Sequence, residues 1–174
     1  MEMLIEIKQI REDEADILTS ISRNTFIDAF SESNTEANMN AYLDENMNNV
    51  KIKNELIDKL NIFYGAYVNG AMVGYCKLSK NIPPREVSIL PAIELERLYV
   101  LRLHQNGKIG AGLMRSCIDY AVTHGYRGLW LGVWEHNNKA IQFYKRWGYE
   151  IFGSHIFMVG NDAQTDIWMI RKLG

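Results

Sequence analysis

The chain has 174 residues, of which 47% are apolar and 23% charged, and its net charge is −2 at pH 7. These values are typical of a soluble globular protein with a real hydrophobic core, and they predict one domain over residues 1–174. The near-neutral charge argues against nucleic acid or a membrane surface as partner. No run approaches the roughly 18 apolar residues of a membrane span, and the start lacks the pattern of a signal peptide. We therefore expect a cytoplasmic protein.

Two cysteines, Cys76 and Cys117, stand 41 positions apart and form no CxxC pair. This spacing predicts neither a metal site nor a disulfide framework. We expect both to be reduced, small apolar residues.

The first half of the chain alternates strand and helix patterns. Apolar residues alternate with polar ones over 4–10, which predicts a strand, and helical spacing over 11–30 predicts a helix. The polar stretch 31–47 fits a second short helix or an ordered loop, and 50–60 fits a further helical piece. Two strands, 61–68 and 71–79, flank Asn69-Gly70, which is a strong hairpin signal. The proline-rich segment 80–92 is predicted to be a loop.

The second half continues with a strand, a glycine-rich turn and a helix that ends near Gly125. The remaining predicted elements are a strand over 128–134, a helix over 138–147 and strands over 149–159 and 164–173. Asn137 or Asn138 would cap the second of these helices at its start, and Gly148 would end it. The order β-α-α-β-β-β-α-β-α-β-β contains one right-handed crossover between parallel strands. It predicts an α/β fold with a mixed sheet.

The turn "HQNGKIGAGLM", from His104 to Met114, places three glycines directly before a helix. Unpaired amides and the positive end of the helix dipole meet at such a position, so the turn could hold a pyrophosphate. Neither G-x-x-x-x-G-K-[ST] nor G-x-G-x-x-G is present in that order. On these residues alone, a merely tight turn remains an alternative.

Two motifs in sequence order carry a resemblance to a known family. "LERLYV…HQNGKIG…L" and the later pattern N-x-x-A-x-x-F-Y-x-x-x-G-Y resemble the GNAT superfamily of acetyl-CoA-dependent N-acetyltransferases. Further segments are similar to bacterial PaiA-type polyamine (spermidine/spermine) N-acetyltransferases. The resemblance implies a mixed, mostly antiparallel central sheet flanked by helices, with central parallel strands that splay apart.

By the same resemblance, the wedge between those strands binds acetyl-CoA. The backbone of Leu98, Tyr99 and Val100 would pair with the pantetheine arm, and an amide near Leu98 would polarise the thioester carbonyl. Asn137 would contact the arm or nearby backbone. The loop residues that would hold the pyrophosphate are Gln105, Asn106, Gly107, Lys108, Ile109 and Gly110. Lys108 departs from the family pattern, because it stands where the first loop glycine belongs.

The resemblance also implies direct attack of an amine on the thioester. An amine with a pKa near 10 is protonated at pH 7 and must lose a proton before it attacks. Glu94 and Glu96 lie on one strand face, and Glu96 is the expected base. Tyr144 matches the family's general acid. No metal is expected.

An acidic segment suggests the acceptor. Five acidic residues and no basic one lie between Asn24 and Val50, and an acidic wall would attract a polycation. The candidate substrate-binding residues are Asp28, Glu32, Tyr42 and Trp134, although a solvated acidic face and core aromatics explain them equally well.

Several alternatives stay open at this stage. The acceptor could be a protein N-terminus, a lysine or another small amine, and the protein could be a non-catalytic acetyl-CoA-binding regulatory module. A dinucleotide-binding module is disfavoured by the order of the glycines. The expected assembly is a monomer or a homodimer.

Overall fold

The computed structural model describes residues 4–105 and 108–174, and within them seven strands and five helices form. The strands are β1 (Ile5–Gln9), β2 (Asn61–Val68), β3 (Ala71–Ser79), β4 (Ala92–Val100), β5 (Gly128–Trp134), β6 (Glu150–Val159) and β7 (Asp162–Lys172). The helices are α1 (Ala15–Phe30), α2 (Glu36–Asn46), α3 (Asn49–Ile57), α4 (Ile109–Thr123) and α5 (Asn138–Arg146).

All strands join one mixed sheet in the order β1-β2-β3-β4-β5-β7-β6, so the predicted α/β class is confirmed. Only β4 and β5 run parallel; the other neighbours are antiparallel. The predicted order is wrong in one respect, because three helices rather than two separate β1 from β2. The uncertain polar stretch is helical since Thr35 caps α2, its side chain accepting a hydrogen bond from the Asn38 amide.

The β2–β3 hairpin forms where Asn69-Gly70 predicts it. Both residues have positive φ, 49° and 85°, which suits the right-handed twist of the two strands. Asn137 is the residue that caps α5, and Gly148 follows that helix with φ 82°. These turn signals were therefore read correctly from the sequence.

Strand β4 carries a bulge on one side and separates from its neighbour on the other. Lys77 pairs with Arg97 while Leu78 pairs with Leu95, so Glu96 is the extra residue. On the other side of β4, pairing with β5 covers three residues and stops at Glu94. Beyond that point the two parallel strands border a cleft, which matches the expected splay.

Helices cover both faces of the sheet. The face with α4 and α5 carries a core that includes Leu113, Met114 and Ile141, whereas α1 and α3 pack on the opposite face through Leu18 and Ile52. The α4 helix lies so close to β1 that a Cβ on Gly112 would stand 2.5 Å from Ile7 Cδ1. This glycine therefore serves helix packing.

The two cysteines meet in the core under α4. Cys76 and Cys117 are free and buried, and their sulfur atoms lie 3.3 Å apart. The contact with Cys76, followed by burial, raises the pKa of the Cys117 thiol. A protonated, buried thiol is a poor nucleophile, so Cys117 serves packing.

Within the described ranges, no helix combines the length and the apolar character that a bilayer crossing requires.

Candidate active site

A cleft of about 930 Å³ runs between β4 and β5 and continues under α1 and α2. Its lining differs strongly from one end to the other. One end, called here the basic end, carries Arg102, Lys139 and Arg146 beside the start of α4. The opposite part, the acidic end, carries Asp28, Glu94, Glu96 and Asp166 and the ion-paired Arg97, together with aromatic rings.

The start of α4 brings main-chain amides to the basic end, where Gly110 lines the cleft. The first main-chain bond of the helix runs from the Gly112 amide to the Lys108 carbonyl, so the amides before Gly112 have no intrahelical partner. Lys108 caps the helix with φ −75°, which any residue adopts readily, so this lysine needs no glycine-like conformation. Asn106 and Gly107 lie outside the described residues. Ile109 contributes backbone only, because its side chain is buried in the core.

Side chains tie the basic end to β4. The amide group of Gln105 donates to the Val100 carbonyl at 3.1 Å, and Lys139 Nζ donates to Gln105 Oε1 at 2.8 Å. Asn137 caps α5 by accepting from the Ala140 amide at 3.1 Å and also lines the cleft. The sequence motifs predicted Gln105 and Asn137 as site residues but not Lys139. Its only indication in the sequence is a positive charge one helical turn before Phe143.

The last part of β4 presents its backbone to the cleft. Leu98, Tyr99 and Val100 all line it and pair with β3 on one side only. Their other edge faces the cleft beyond the three-residue contact with β5. An extended amide-containing ligand could therefore add to this edge as a strand would.

Tyr144 enters the cleft from α5. It is buried and packs near Phe143 and Tyr149, with ring centroids 5.5 and 5.6 Å away. Burial raises the pKa of Tyr144 well above its ordinary value, and the nearby cysteines add to the effect. The phenol is thus protonated at neutral pH and can donate a proton or a hydrogen bond.

Glu96, the expected base, already has two cationic partners. Its Oε1 lies 2.8 Å from Lys77 Nζ and 3.5 Å from an Arg97 nitrogen. Both cations also bind Glu55, at 3.4 and 2.8 Å. The bulge causes this arrangement, because it puts Glu96 and the adjacent Arg97 on the same side of the sheet. A substrate ammonium would have to compete with these partners for Glu96.

Glu94 lies in the same cleft without such compensation. It makes no ion pair with any residue in 4–105 or 108–174. Burial raises the pKa of Glu94 to about 7, the charge of Glu96 adds to the increase, and Lys77 and Arg97 oppose it. A carboxylate with a pKa near neutrality is well suited to accept a proton.

Aromatic rings line the rest of the acidic end. Tyr42 stacks on Phe26 with centroids 4.4 Å apart, and Phe157 meets Tyr42 edge-on at 5.7 Å. Trp134 also lines the cleft and packs against Phe30 at 5.9 Å. Among the predicted substrate-binding residues, Tyr42, Trp134 and the exposed Asp28 therefore lie in the cleft.

Glu32 does not lie in the cleft. It follows α1 in a short helical turn, is exposed, and is absent from the cleft lining. The expectation that Glu32 lies with the cleft residues is wrong, because the end of α1 turns its carboxylate to solvent.

Asp166 lies on β7, the last strand, and sequence reasoning missed it. Burial raises the pKa of Asp166 to about 6. A lone acid inside the apolar strand pattern "DIWMI" was the available signal.

The part of the chain that the structure describes contains no group of three or more His, Cys, Asp or Glu side chains that could hold a metal ion.

Comparisons with known proteins agree with this geometry. The sequence model of the acetyltransferase (GNAT) family matches residues 23–149. An uncharacterized N-acetyltransferase of Lactobacillus delbrueckii subsp. lactis is 32% identical over 169 residues, which cover 97% of this chain and 98% of the relative.

Two solved structures with the same architecture superpose on this chain with similar TM-scores. The PaiA N-acetyltransferase of Thermoplasma acidophilum, solved in complex with coenzyme A, superposes with a TM-score of 0.78 at 21% identity, covering 98% of this chain and 99% of that one. A probable acetyltransferase of Staphylococcus epidermidis gives 0.77 at 19% identity, covering 98% and 100%. Both likenesses concern the fold, and they confirm the expected arrangement of the sheet and helices.

Proposed function

The chain belongs to the GNAT acetyltransferase family and is an acetyl-CoA-dependent N-acetyltransferase, and we propose that its acceptor is a primary amine of the polyamine type, such as spermidine or spermine. One observation carries the proposal. A single cleft joins a basic, backbone-lined end to an acidic, aromatic end whose carboxylates Glu94 and Asp166 have no ion-pair partner in the described ranges.

The basic end fits coenzyme A. Free amides at the start of α4, with Lys139, Arg102 and Arg146 nearby, would hold its phosphates. The edge of Leu98–Val100 that β5 leaves uncovered would hold the amides of its arm. When bound, acetyl-CoA supplies an activated acetyl thioester.

Glu94 is the residue we assign as proton acceptor, in place of Glu96. An ammonium entering the acidic end would meet a carboxylate whose pKa is about 7, whereas Glu96 Oε1 already accepts from Lys77 and forms an ion pair with Arg97. Moving the proton of the ammonium onto Glu94 exposes the nitrogen lone pair that attack requires. Glu96 would then position the network beside the base.

Tyr144 is the residue we assign as proton donor. It reaches the cleft from the α4–α5 face of the sheet, whereas Glu94 reaches it from the face of α1. A tyrosine phenol is protonated at neutral pH, so that of Tyr144 has a proton to give to the departing thiolate. The two proton transfers would thus occur on opposite sides of the reacting atoms.

The polyamine assignment is supported by charge and shape together. Carboxylates attract an amine that carries several positive charges, and the rings of Tyr42 and Trp134 offer flat apolar surfaces to its methylene groups. The rim carboxylate of Asp28 would raise the local concentration of such a cation.

The test is thiol release from acetyl-CoA in the presence of spermidine, a protein N-terminal peptide, a lysine peptide and simple monoamines. We expect spermidine to give the highest kcat/KM. The Tyr144→Phe variant should lose about 10²- to 10⁴-fold in kcat, while its KM for acetyl-CoA stays within about twofold. Tyr149→Phe is the matched control, because that phenol is buried beside Tyr144 and contacts the Met114 sulfur instead.

Other results would redirect the assignment. Preference for a peptide would replace the polyamine acceptor while leaving the enzyme in place. Coenzyme A binding without turnover on any amine would point to a non-catalytic binding module.

A further inference from the structure

We infer that Asp166 determines acceptor specificity: with the rings of Trp134, Tyr42 and Phe157 it forms a second cation subsite, which selects amines that carry another ammonium group at a distance from the one that is acetylated. The inference rests on the proposed function, because it takes Glu94 to mark the position of the reacting amine.

The backbone places Asp166 at the far side of the cleft. It lies on β7, opposite Trp134 of β5 and His155 of β6. Glu94 is paired with Trp130, four residues away along β5 and on its other side. Strand geometry therefore separates the two carboxylate-bearing positions by roughly 15 Å between Cα atoms. An acceptor that reaches both groups must be elongated.

Gly132 keeps the space beside Asp166 open. A Cβ at Gly132 would lie 3.3 Å from His155 Cε1 and 3.4 Å from Asp166 Oδ2, so a side chain would fill the floor of the cleft at this point. Gly132, His155 and Asp166 all line the cleft. The carboxylate oxygen is thus accessible to a ligand from the cleft.

No ion pair compensates the charge of Asp166 within residues 4–105 and 108–174. Burial alone raises its pKa, with no contribution from a neighbouring cation. Burial also lowers the pKa of His155, which keeps this neighbour neutral at pH 7, and its Nδ1 has no hydrogen-bond partner among the residues described. Glu55 and Glu96 differ from Asp166 in this respect, because both form ion pairs with Lys77 and Arg97. A ligand cation would therefore supply the partner that Asp166 lacks.

Three rings complete the subsite. Tyr42, Trp134 and Phe157 are half-buried and line the cleft on the same side as Asp166. Tyr42 is fixed by its stacking on Phe26, and Phe157 packs against both Tyr42 and Phe30. Aromatic faces next to a carboxylate favour an alkylammonium group over a neutral or anionic one.

The experiment compares α,ω-diaminooctane with octylamine, which keeps the reacting amine and the chain but lacks the second charge. In wild type we expect the diamine to have the lower KM. Asp166→Asn should raise the KM for the diamine about ten- to hundredfold, leave its kcat within about twofold, and leave both constants for octylamine unchanged. Glu32→Gln is the control, because Glu32 is an exposed carboxylate that does not line the cleft.

Two outcomes would overturn the inference: no change with the diamine, or an equal loss with diamine and octylamine, which would mean a structural role. Asp166→Ser repeats the test if the asparagine variant does not fold. Calorimetric binding of the same amines separates this inference from the proposed function. Diamine binding that depends on Asp166 without turnover would uphold the subsite and reject the polyamine acetyltransferase, whereas absence of diamine binding to wild type would reject the subsite.

Discussion

The two ends of the cleft are built from different parts of the polypeptide. The basic end relies on main-chain groups, namely the amides at the start of α4 and the free edge of β4. The acidic end relies on side chains from α1, α2, β4, β5, β6 and β7. Main-chain groups are fixed by the fold, so relatives that share the fold can share a donor site. Side chains can change singly without changing the fold, so the acceptor can differ between relatives.

The largest expected effect on activity comes from Glu94→Gln, which should impair the acidic end and leave the basic end unchanged. Since the base must be deprotonated, wild-type kcat/KM for the amine should rise as the pH passes about 7, the pKa of Glu94. The variant should lose about 10²-fold or more in kcat/KM and lack that inflection, with the KM for acetyl-CoA unchanged. The measurement is the rate of thiol release as a function of pH for both proteins.

Glu96→Gln is the matched comparison, because Glu96 lies two residues away in the same cleft. It should keep the inflection near pH 7, although the loss of its ion pairs with Lys77 and Arg97 should lower stability. If Glu96→Gln instead removes the inflection and Glu94→Gln retains it, the roles assigned to the two carboxylates are reversed.

A smaller effect is expected at the basic end from Lys139→Ala. Lys139 is exposed and hydrogen-bonds Gln105, so its removal takes one positive charge from the place where phosphates would lie. We expect the KM for acetyl-CoA to rise about two- to fivefold, more at low salt than at high salt, with the KM for the amine unchanged. Lys145→Ala serves as the control, because Lys145 is on the same helix but does not line the cleft. A change in the amine KM alone would contradict the division of the cleft.

The smallest expected effect concerns stability. The folded protein holds the Glu94 proton up to about pH 7, whereas an ordinary glutamate releases it near 4.5. Between these values the folded state binds more protons than the unfolded state, so the free energy of unfolding falls as pH rises through this range. Glu94→Gln removes that loss and should be more stable than wild type by about 1–3 kcal/mol at pH 8.

Urea denaturation at pH 4.5 and pH 8 measures that difference. The gap between variant and wild type should be small at the lower pH and close to its full size at the higher one. An equal gap at both values would mean that Glu94 titrates normally in the folded protein.

Much of the fold could be read from the sequence, because its signals are local. Asn69-Gly70 predicts the hairpin, Asn137 and Gly148 bound α5, and strand alternation finds the sheet. The helix α2 was uncertain since its sequence is polar almost throughout, and what fixes it is the Thr35 cap and its buried Met39 and Leu43.

The site was only partly predictable for a physical reason. Gln105, Asn137 and Tyr144 sit in short motifs, so sequence spacing reveals them. The difference between Glu94 and Glu96 depends on a bulge and on Lys77 from the neighbouring strand, which strand alternation does not show. Asp166 lies in the cleft because β7 pairs with β5, whose residues stand about 30 positions earlier in the chain, and local sequence patterns do not show such a pairing.

The short contact between β4 and β5 has a consequence for solubility. Sheet edges with free amides and carbonyls tend to recruit strands from other molecules, which leads to aggregation. Here the free stretch of β4 faces inwards, flanked by α1 on one face and by α4 and α5 on the other, so it borders the cleft rather than the outer rim of the sheet. A thin, flexible ligand can enter this cleft, and the hydrogen-bonding groups of β4 there stay available for a small molecule.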